Sequence, residues 1–429
     1  MNPLDPIDWL GLPLRPWKRF CRVPADLRAV TVRGDEVRPR EVRLAREGVE
    51  RIWRQAEALY RTGLHPAIQI CIRHRGAVVL DRAIGHATGN GPGDPPGAPK
   101  TRVGLDTPFR LYSASKAVTA MVIHKLDDLG ALHIDDRVAD YLPTFRRGAR
   151  AHITIAHVLC HRAGIPALPP AAMDLDLLER PEEILELLAA VPLRMRPGRR
   201  LAYHAVTGGF VLGEVVRAAT GQDIRAVLRK ELREPLGLRW LDYGVAPEDG
   251  ASVARDVITG LPPLPGFAHV LERALGAPVE RVLDLAHDPR FLAGILPAAN
   301  VVSNARDLAA FFECLRNEGE LGGVRVFEPR TVRRATTEQS FWEVDFTLGI
   351  PIRYGLGFML GGEWLSLFGP GTPHAFGHLG FTNVLGWADP DRALSAAILT
   401  NGKPFLDIEV VRLYQLLMAI GREIPQAAA

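Results

Sequence analysis

Ser113-Ala114-Ser115-Lys116 places a hydroxyl and an amine three residues apart, and these are the residues of the chain best suited to chemistry. The 429 residues contain seven serines and six lysines. At those frequencies chance would place a lysine three residues after a serine only about 0.1 times. Positions i and i+3 share one face of a helix, so the amine can reach the hydroxyl. An amine that loses its proton can act as the base that activates a serine. At a helix N-terminus, backbone N–H groups and the helix dipole also favour negative charge developing at that spot. The tetrapeptide equally suits a capping serine followed by a surface lysine, and alone it does not decide between the two.

The flanking sequence supplies the means of positioning. Residues 109–112 (FRLY) read as an extended lead-in, and residues 116–126 (KAVTAMVIHKL) as a mostly apolar helix, so Ser113 falls at or near a helix start. Upstream, Val42, Leu44, Val49, Ile52, Trp53, Ala56 and Leu59 fall close to helical spacing over 41–63, with Gly63 as a stop. Residues 67–72 and 77–80 are β-rich runs joined by His74-Arg75-Gly76, a hairpin signal. The 87–100 segment (ATGNGPGDPPGAPK) reads as a flexible loop, since its prolines forbid the helix that a dinucleotide fingerprint requires.

From about 136 to 290 the pattern is mainly helical, with helices expected near 180–190, 208–219 and 223–236. A helix over 304–316 carries Asn304 as its cap. Strands are expected at 355–360, 381–388 and 394–399, and a last helix over 407–420. Sheet strands drawn from both chain ends favour an antiparallel sheet, because hairpins dominate such connections. The expected organisation is an arm over 1–40, a discontinuous α/β domain over 41–135 and 296–429, and a mostly helical insertion over 136–295.

Composition is ordinary for a globular chain, with 47% hydrophobic and 24% charged residues. A net charge of +3 makes no case for nucleic acid or an anionic membrane. Arginine outnumbers lysine 46 to 6, which makes Lys116 a less casual choice. Cys21, Cys71, Cys160 and Cys314 are scattered and form no C-x-x-C pair, so a reducing, cytoplasmic setting is the default. The first twenty residues lack a basic n-region and a continuous apolar stretch, and are not read as a secretory signal. No uncharged apolar run approaches the roughly 18 residues of a membrane-spanning helix. Trp9, Leu10, Leu12, Leu14 and Trp17 could dock on the body, on a partner or on a membrane surface, the body being favoured. His152, His157, Cys160 and His161 cluster, but without H-E-x-x-H they do not read as a zinc site. The absence of G-x-S-x-G argues against an α/β-hydrolase.

Three ordered elements carry a family resemblance: Ser113-Ala114-Ser115-Lys116, then Tyr203 within residues 201–209 (LAYHAVTGG), then Gly377-His378-Leu379-Gly380-Phe381 ahead of a strand. Together with PFRLYSASK, EPLGL, VSNARDLAAF and YGLGF, the chain resembles the serine β-lactamase/penicillin-binding-protein superfamily over most of 60–420. It is most similar there to the class C-like branch with the family VIII carboxylesterases. The resemblance implies an α+β fold of β-lactamase/transpeptidase type: a mainly antiparallel sheet flanked by helices, with a largely helical inserted region. It implies Ser113 as acylated nucleophile, Lys116 as base and Tyr203 as second proton carrier. The backbone N–H groups of Ser113 and Phe381 would form an oxyanion hole, and His378 and Gly380 would contact substrate.

Departures bear on the activity. Where lactamases and peptidases of the group show Tyr-x-Asn, the third position here is Ala205. Where they show Lys-Thr-Gly, this chain has His378-Leu379-Gly380, which exchanges an obligate cation for a group that can be neutral near pH 7. Both changes weaken recognition of an anionic β-lactam and fit a neutral ester. The expectation is a serine carboxylesterase acting on small-molecule esters of short to medium acyl chain, with no cofactor, no metal, no nucleic-acid partner and no integral membrane segment. Phe341, Trp342, Phe346 and Phe381 are candidate pocket walls between sheet and insertion. Homo-oligomerisation and peripheral membrane association stay open. The rival readings are a β-lactamase or D-aminopeptidase, an acyltransferase to a small alcohol, and a non-catalytic ligand-binding homologue.

Overall fold

A computed structural model describes residues 19–262, 272, 277–405 and 407–426. Trp9, Leu10, Leu12, Leu14 and Trp17 lie outside the described residues. The main sheet is built from β1 (Thr31–Arg33), β2 (Ala67–His74), β3 (Ala77–Thr88), β4 (Met359–Leu360), β5 (Phe376–Gly380), β6 (Val384–Asp389) and β7 (Leu394–Thr400). Its order is β1-β3-β2-β7-β6-β5-β4, with the two-residue strand Thr101–Arg102 pairing beside β3. Every neighbouring pair along this path is antiparallel. The fold is α+β, with strands from both chain ends meeting where β7 pairs with β2.

Both faces of the sheet are covered, which explains why β2 and β7 read as nearly continuous apolar runs. On one face Ile68, Ile70, Ile72 and Ile398 pack with Trp53, Leu59, Leu416 and Ile420, from α1 (Arg46–Tyr60) and the final helix Ile408–Glu423. On the other face Cys71, Ala397 and Leu399 meet Phe311 and Phe312 of the helix Ala305–Arg316, whose start is capped by Asn304 as expected. The part of the N-terminal arm that is described is not irregular throughout. Its strand β1 pairs with β3, and Glu36 accepts from the buried Arg82 guanidinium at 2.6 and 2.7 Å.

The helix after the reactive tetrapeptide, α2 (Ser115–Asp128), is buried on nearly every side. Such a helix belongs to the core rather than the surface. Ser113 sits in a 3-10 turn, Tyr112–Ala114, that leads directly into it. The same apolar cluster runs from α2 into the helical region, through Val158, Leu185, Phe210 and Leu283.

Three sequence expectations are corrected. The His378 motif is not a lead-in to a strand beginning at 381. It is strand β5 itself, and residues 381–383 turn into β6. Its glycines serve close approach. A Cβ on Gly377 would lie 2.3 Å from the Gly386 carbonyl oxygen, and one on Gly380 would lie 2.1 Å from that of Leu111. The strand expected over 355–360 shrinks to Met359–Leu360, because Gly355 donates to the Phe358 carbonyl at 2.9 Å in a tight turn. The helix expected over 223–236 is α-helical only over Ile224–Leu228 and then widens into a π turn, Arg229–Arg233.

The Gly380 contact is where the sheet edge meets the serine turn. Gly380→Ala is expected to lower stability by about 1–3 kcal/mol, measured as a fall in melting temperature. An unchanged melt would show that the two backbones can part at little cost.

Candidate active site

Ser113 enters its turn from a strained residue. Tyr112 has φ +47, a left-handed conformation that a bulky residue rarely adopts. Its hydroxyl donates to Asp256 Oδ2 at 2.7 Å, and Arg110 Nη1 donates to the same oxygen at 2.6 Å. Lys403 Nζ lies 3.3 Å from the other carboxylate oxygen and 4.9 Å from the Tyr112 ring centre. All four side chains are buried. Burial works against the Asp256 charge, but Lys403 and Arg110 outweigh it and hold the carboxyl below its usual range. This triad of charges fixes the ring that precedes the serine. The sequence reading missed it, although Lys403 is one of only six lysines.

On the other side of the turn, Lys116 Nζ lies 3.2 Å from Ser113 Oγ, 2.7 Å from the Ala205 carbonyl oxygen and 3.1 Å from that of Ala298. It also lies 4.8 Å from the Tyr203 ring centre. Part of the lysine stem keeps some exposure, but the amine itself is enclosed by these groups. No carboxylate among the described residues pairs with it. Burial alone therefore brings its pKa down from the ordinary lysine value to about 7. A neutral amine has two N–H groups and one lone pair. The two carbonyls can take the N–H groups, which leaves the lone pair for the Ser113 hydroxyl.

Tyr203 is buried, with the Ser113 hydroxyl near enough to act on its phenol. Burial pushes the phenol pKa up, the Ser113 hydroxyl opposes this weakly, and the Asp345 charge adds to the rise. Tyr203 is therefore a protonated phenol at neutral pH. Its backbone N–H donates to Asp345 Oδ1 at 3.1 Å, as do those of Thr347 at 2.8 Å and Leu348 at 3.0 Å. Asp345 is fully buried and staples this loop to the tyrosine. Nothing in its sequence surroundings, Phe341-Trp342-Glu343-Val344-Asp345-Phe346, sets it apart from Glu343 two residues earlier.

The end of β5 closes the constellation. The Phe381 ring lies 5.3 Å from that of Tyr112, and Gly380 abuts Leu111, so the Phe381 backbone is beside the serine turn. Neither Ser113 nor Phe381 uses its N–H in a turn or loop hydrogen bond among the described residues. Gly380 and Phe381 line the pocket over Ser113, but His378 does not. His378 is buried behind it, its Nδ1 2.8 Å from the Leu379 carbonyl oxygen. Burial and the nearby Lys116 charge lower its pKa to about 3, so the ring is neutral. His161 and His204, beneath Tyr203 and Lys116, are likewise driven neutral, first by burial. His161 stacks on Tyr203 at 4.6 Å, and His157 accepts at a helix cap from the Thr154 N–H. Among the described residues no three His, Cys, Asp or Glu side chains converge as metal ligands.

The pocket has a volume of about 280 Å³ and is walled by apolar side chains such as Leu175, Phe210, Leu285 and Phe291. Among the described residues no lysine or arginine lines it. Of the four expected wall aromatics only Phe381 is there. Phe341 and Phe346 are exposed, and Trp342 lies with them at the surface.

The family model described as Beta-lactamase matches residues 54–418. The chain belongs to the beta-lactamase family. It is 31% identical over 309 residues to the esterase/beta-lactamase LipL of Mycobacterium tuberculosis, covering 69% of this chain and 70% of that protein. Among solved structures it resembles a penicillin-binding protein homologue from Caulobacter crescentus, with a TM-score of 0.74, 28% identity and coverage of 88% and 98% of the two chains. A family VIII carboxylesterase follows with a TM-score of 0.73, 25% identity and coverage of 87% and 98%. The beta-lactamase-family chain is thus a hydrolase of the β-lactamase fold, with esterases among its relatives.

Two expectations follow from the buried charges. Asp256→Ala leaves Arg110 and Lys403 buried without their acid, which should cost about 3–5 kcal/mol, read by denaturant unfolding. A loss under 1 kcal/mol would mean that the triad does not anchor the turn. Lys116 binds fewer protons folded than unfolded between pH 7 and 10.5, so wild-type stability should rise with pH across that window. Relative to Lys116→Met, the wild type should gain roughly 3 kcal/mol from pH 7 to 10. The two carbonyls that lose a donor affect the variant equally at every pH, so the slope is the readout. Parallel stability curves would place the amine's pKa near its ordinary value.

Proposed function

We propose that this beta-lactamase-family chain is a serine esterase working through an acyl-enzyme. The observation that carries the reading is the enclosed Lys116 amine, its N–H groups committed to two carbonyls and its third direction open to Ser113 Oγ. In this reading Oγ attacks the ester carbonyl carbon while its proton passes to Lys116. The oxyanion accepts from the Ser113 and Phe381 N–H groups, a contribution of about 3–4 kcal/mol per donor. Collapse breaks the C–O bond, and the leaving alkoxide takes the Tyr203 proton. Lys116, whose amine lies beside the Tyr203 ring, returns the serine proton to the tyrosinate. Water then repeats the sequence in the alcohol's place and frees the acid.

The pocket supports an ester over a β-lactam. Its wall offers an apolar acyl group a dry surface and, among the described residues, offers a substrate carboxylate no lysine or arginine. His378, in the position where the family's lactamases carry a lysine, is neutral and buried. At about 280 Å³ the cavity is at the small end of ligand pockets, roughly 300–1,000 Å³, which suits short to medium acyl chains. Ala205 leaves no side-chain amide for a peptide or lactam, so the D-aminopeptidase and lactamase readings rank second. Four unpaired, buried cysteines suit a cytoplasmic setting.

The deciding experiment is p-nitrophenyl ester hydrolysis across acyl lengths beside nitrocefin. Ester turnover is expected, lost in Ser113→Ala and reduced at least about 10²-fold in Tyr203→Phe. Because the working amine must be neutral, kcat/KM should rise with pH through about 7 and then level off. Nitrocefin turnover equal to ester turnover would replace the esterase with a lactamase. No turnover of either, with faster product formation on adding an alcohol to an activated ester, would favour the acyltransferase.

A further inference from the structure

The three most exposed large apolar side chains among the described residues, Trp364, Phe341 and Leu365, lie in one stretch of chain, 341–365, together with Ile350 and Val344. Trp364 is 87% exposed, Phe341 77%, Leu365 64%, Ile350 53% and Val344 50%. They are held together by backbone contacts. Val344 pairs with Pro351, and Asp345 N–H donates to the Ile350 carbonyl at 2.9 Å. The Trp342 ring lies against Gly362, in the turn that carries Trp364 and Leu365. A patch of this kind on a folded chain marks an interaction site.

Its border is cationic. Arg194, Arg196, Arg199 and Arg200 fall within seven residues, Arg194-Met195-Arg196-Pro197-Gly198-Arg199-Arg200, and all four are exposed. They line one hollow with Phe346, and the Arg200 guanidinium lies 4.8 Å from the Phe346 ring centre. Among the described residues no carboxylate stands within ion-pair distance of any of the four. The acids of the patch are otherwise engaged: Glu343 accepts from Arg162 at 3.2 Å and Glu338 from Arg353 at 2.9 Å. Glu363, next to Trp364, is the exposed acid that remains. The whole-chain charge of +3 conceals this local density.

We infer that this face, aromatic residues 341–365 with the arginines of 194–200, docks on an anionic lipid surface. Tryptophan and phenylalanine favour the headgroup boundary, and arginines beside them meet anionic headgroups. A twofold pairing of two copies through this face would bring eight arginines together, which disfavours a second copy as the occupant. The docked face is the active-site side of the molecule. Asp345 ties this loop to Tyr203, and Leu348 of the same loop lines the pocket. The surface would therefore bring the pocket to a phase in which apolar neutral esters concentrate. Docking itself does not depend on the esterase reading, and its test reads binding rather than turnover.

The test is co-sedimentation of the full chain with phosphatidylcholine vesicles and with mixed phosphatidylcholine/phosphatidylglycerol vesicles. The wild type is expected to bind the mixed vesicles well and phosphatidylcholine weakly. Phe341→Ser/Trp364→Ser and Arg194→Gln/Arg196→Gln/Arg199→Gln should each lose at least about ten-fold in partitioning, with unchanged melting temperatures. Failure of the wild type to bind the mixed vesicles, or equal binding by both variants, would overturn the inference. So would a wild-type dimer in sedimentation equilibrium that Phe341→Ser/Trp364→Ser dissolves, since that assigns the face to a second copy.

Discussion

The arrangement around Ser113 depends on keeping one amine enclosed, uncharged and fixed. A carboxylate beside Lys116 would be the simplest way to stabilise a buried lysine, but it would hold the proton in place and remove the lone pair. The protein instead surrounds the amine with two backbone carbonyls, a hydroxyl and a phenol ring. The next layer is three imidazoles, His161, His204 and His378, each neutral by burial. A charged imidazole there would repel the ammonium form and a carboxylate would lock it in place. Neutral polar groups do neither, so the amine can change state within the physiological range.

Charge is kept one residue away, on the far side of Tyr112. Arg110, Asp256 and Lys403 form a dry ionic cluster that grips a tyrosine in a backbone conformation it would otherwise leave. A strained residue of this kind costs about 1–3 kcal/mol and persists only where its surroundings over-determine it. The serine turn is thus bounded by two buried lysines with opposite environments. Lys403 has a carboxylate partner, Lys116 has none among the described residues, and that difference decides which can serve as a base.

Much of this was legible in the sequence. The Ser-x-x-Lys spacing and the caps at Asn304 and Gly63 rest on local rules, which survive tertiary context well, and the antiparallel sheet followed from strands placed near both chain ends. The features that were not legible are long-range. Asp256 meets Tyr112 across 144 residues, and Asp345 meets Tyr203 across 142. No periodicity announces such pairs. The His378 motif was placed ahead of its strand rather than in it, because the close backbone approaches that need its glycines, to Gly386 and Leu111, are also long-range. Phe341 and Phe346 were misplaced for a related reason: aromatic composition does not say whether a ring faces a pocket or the solvent.

His378 brings these threads together. It occupies the strand position where the family's lactamases carry a lysine, yet here it is an uncharged, buried ring bonded to its own strand, while its neighbours Leu379, Gly380 and Phe381 reach the pocket. A lysine there would also sit close to Lys116, and two ammonium groups in one dry region repel. Removing the substrate-facing cation therefore does two things at once. It withdraws recognition of anions and eases deprotonation of the base. Under the proposed esterase reading, selectivity for neutral esters and activation of Ser113 would both follow from this one residue, and a lysine in its place would require a new way to keep Lys116 neutral.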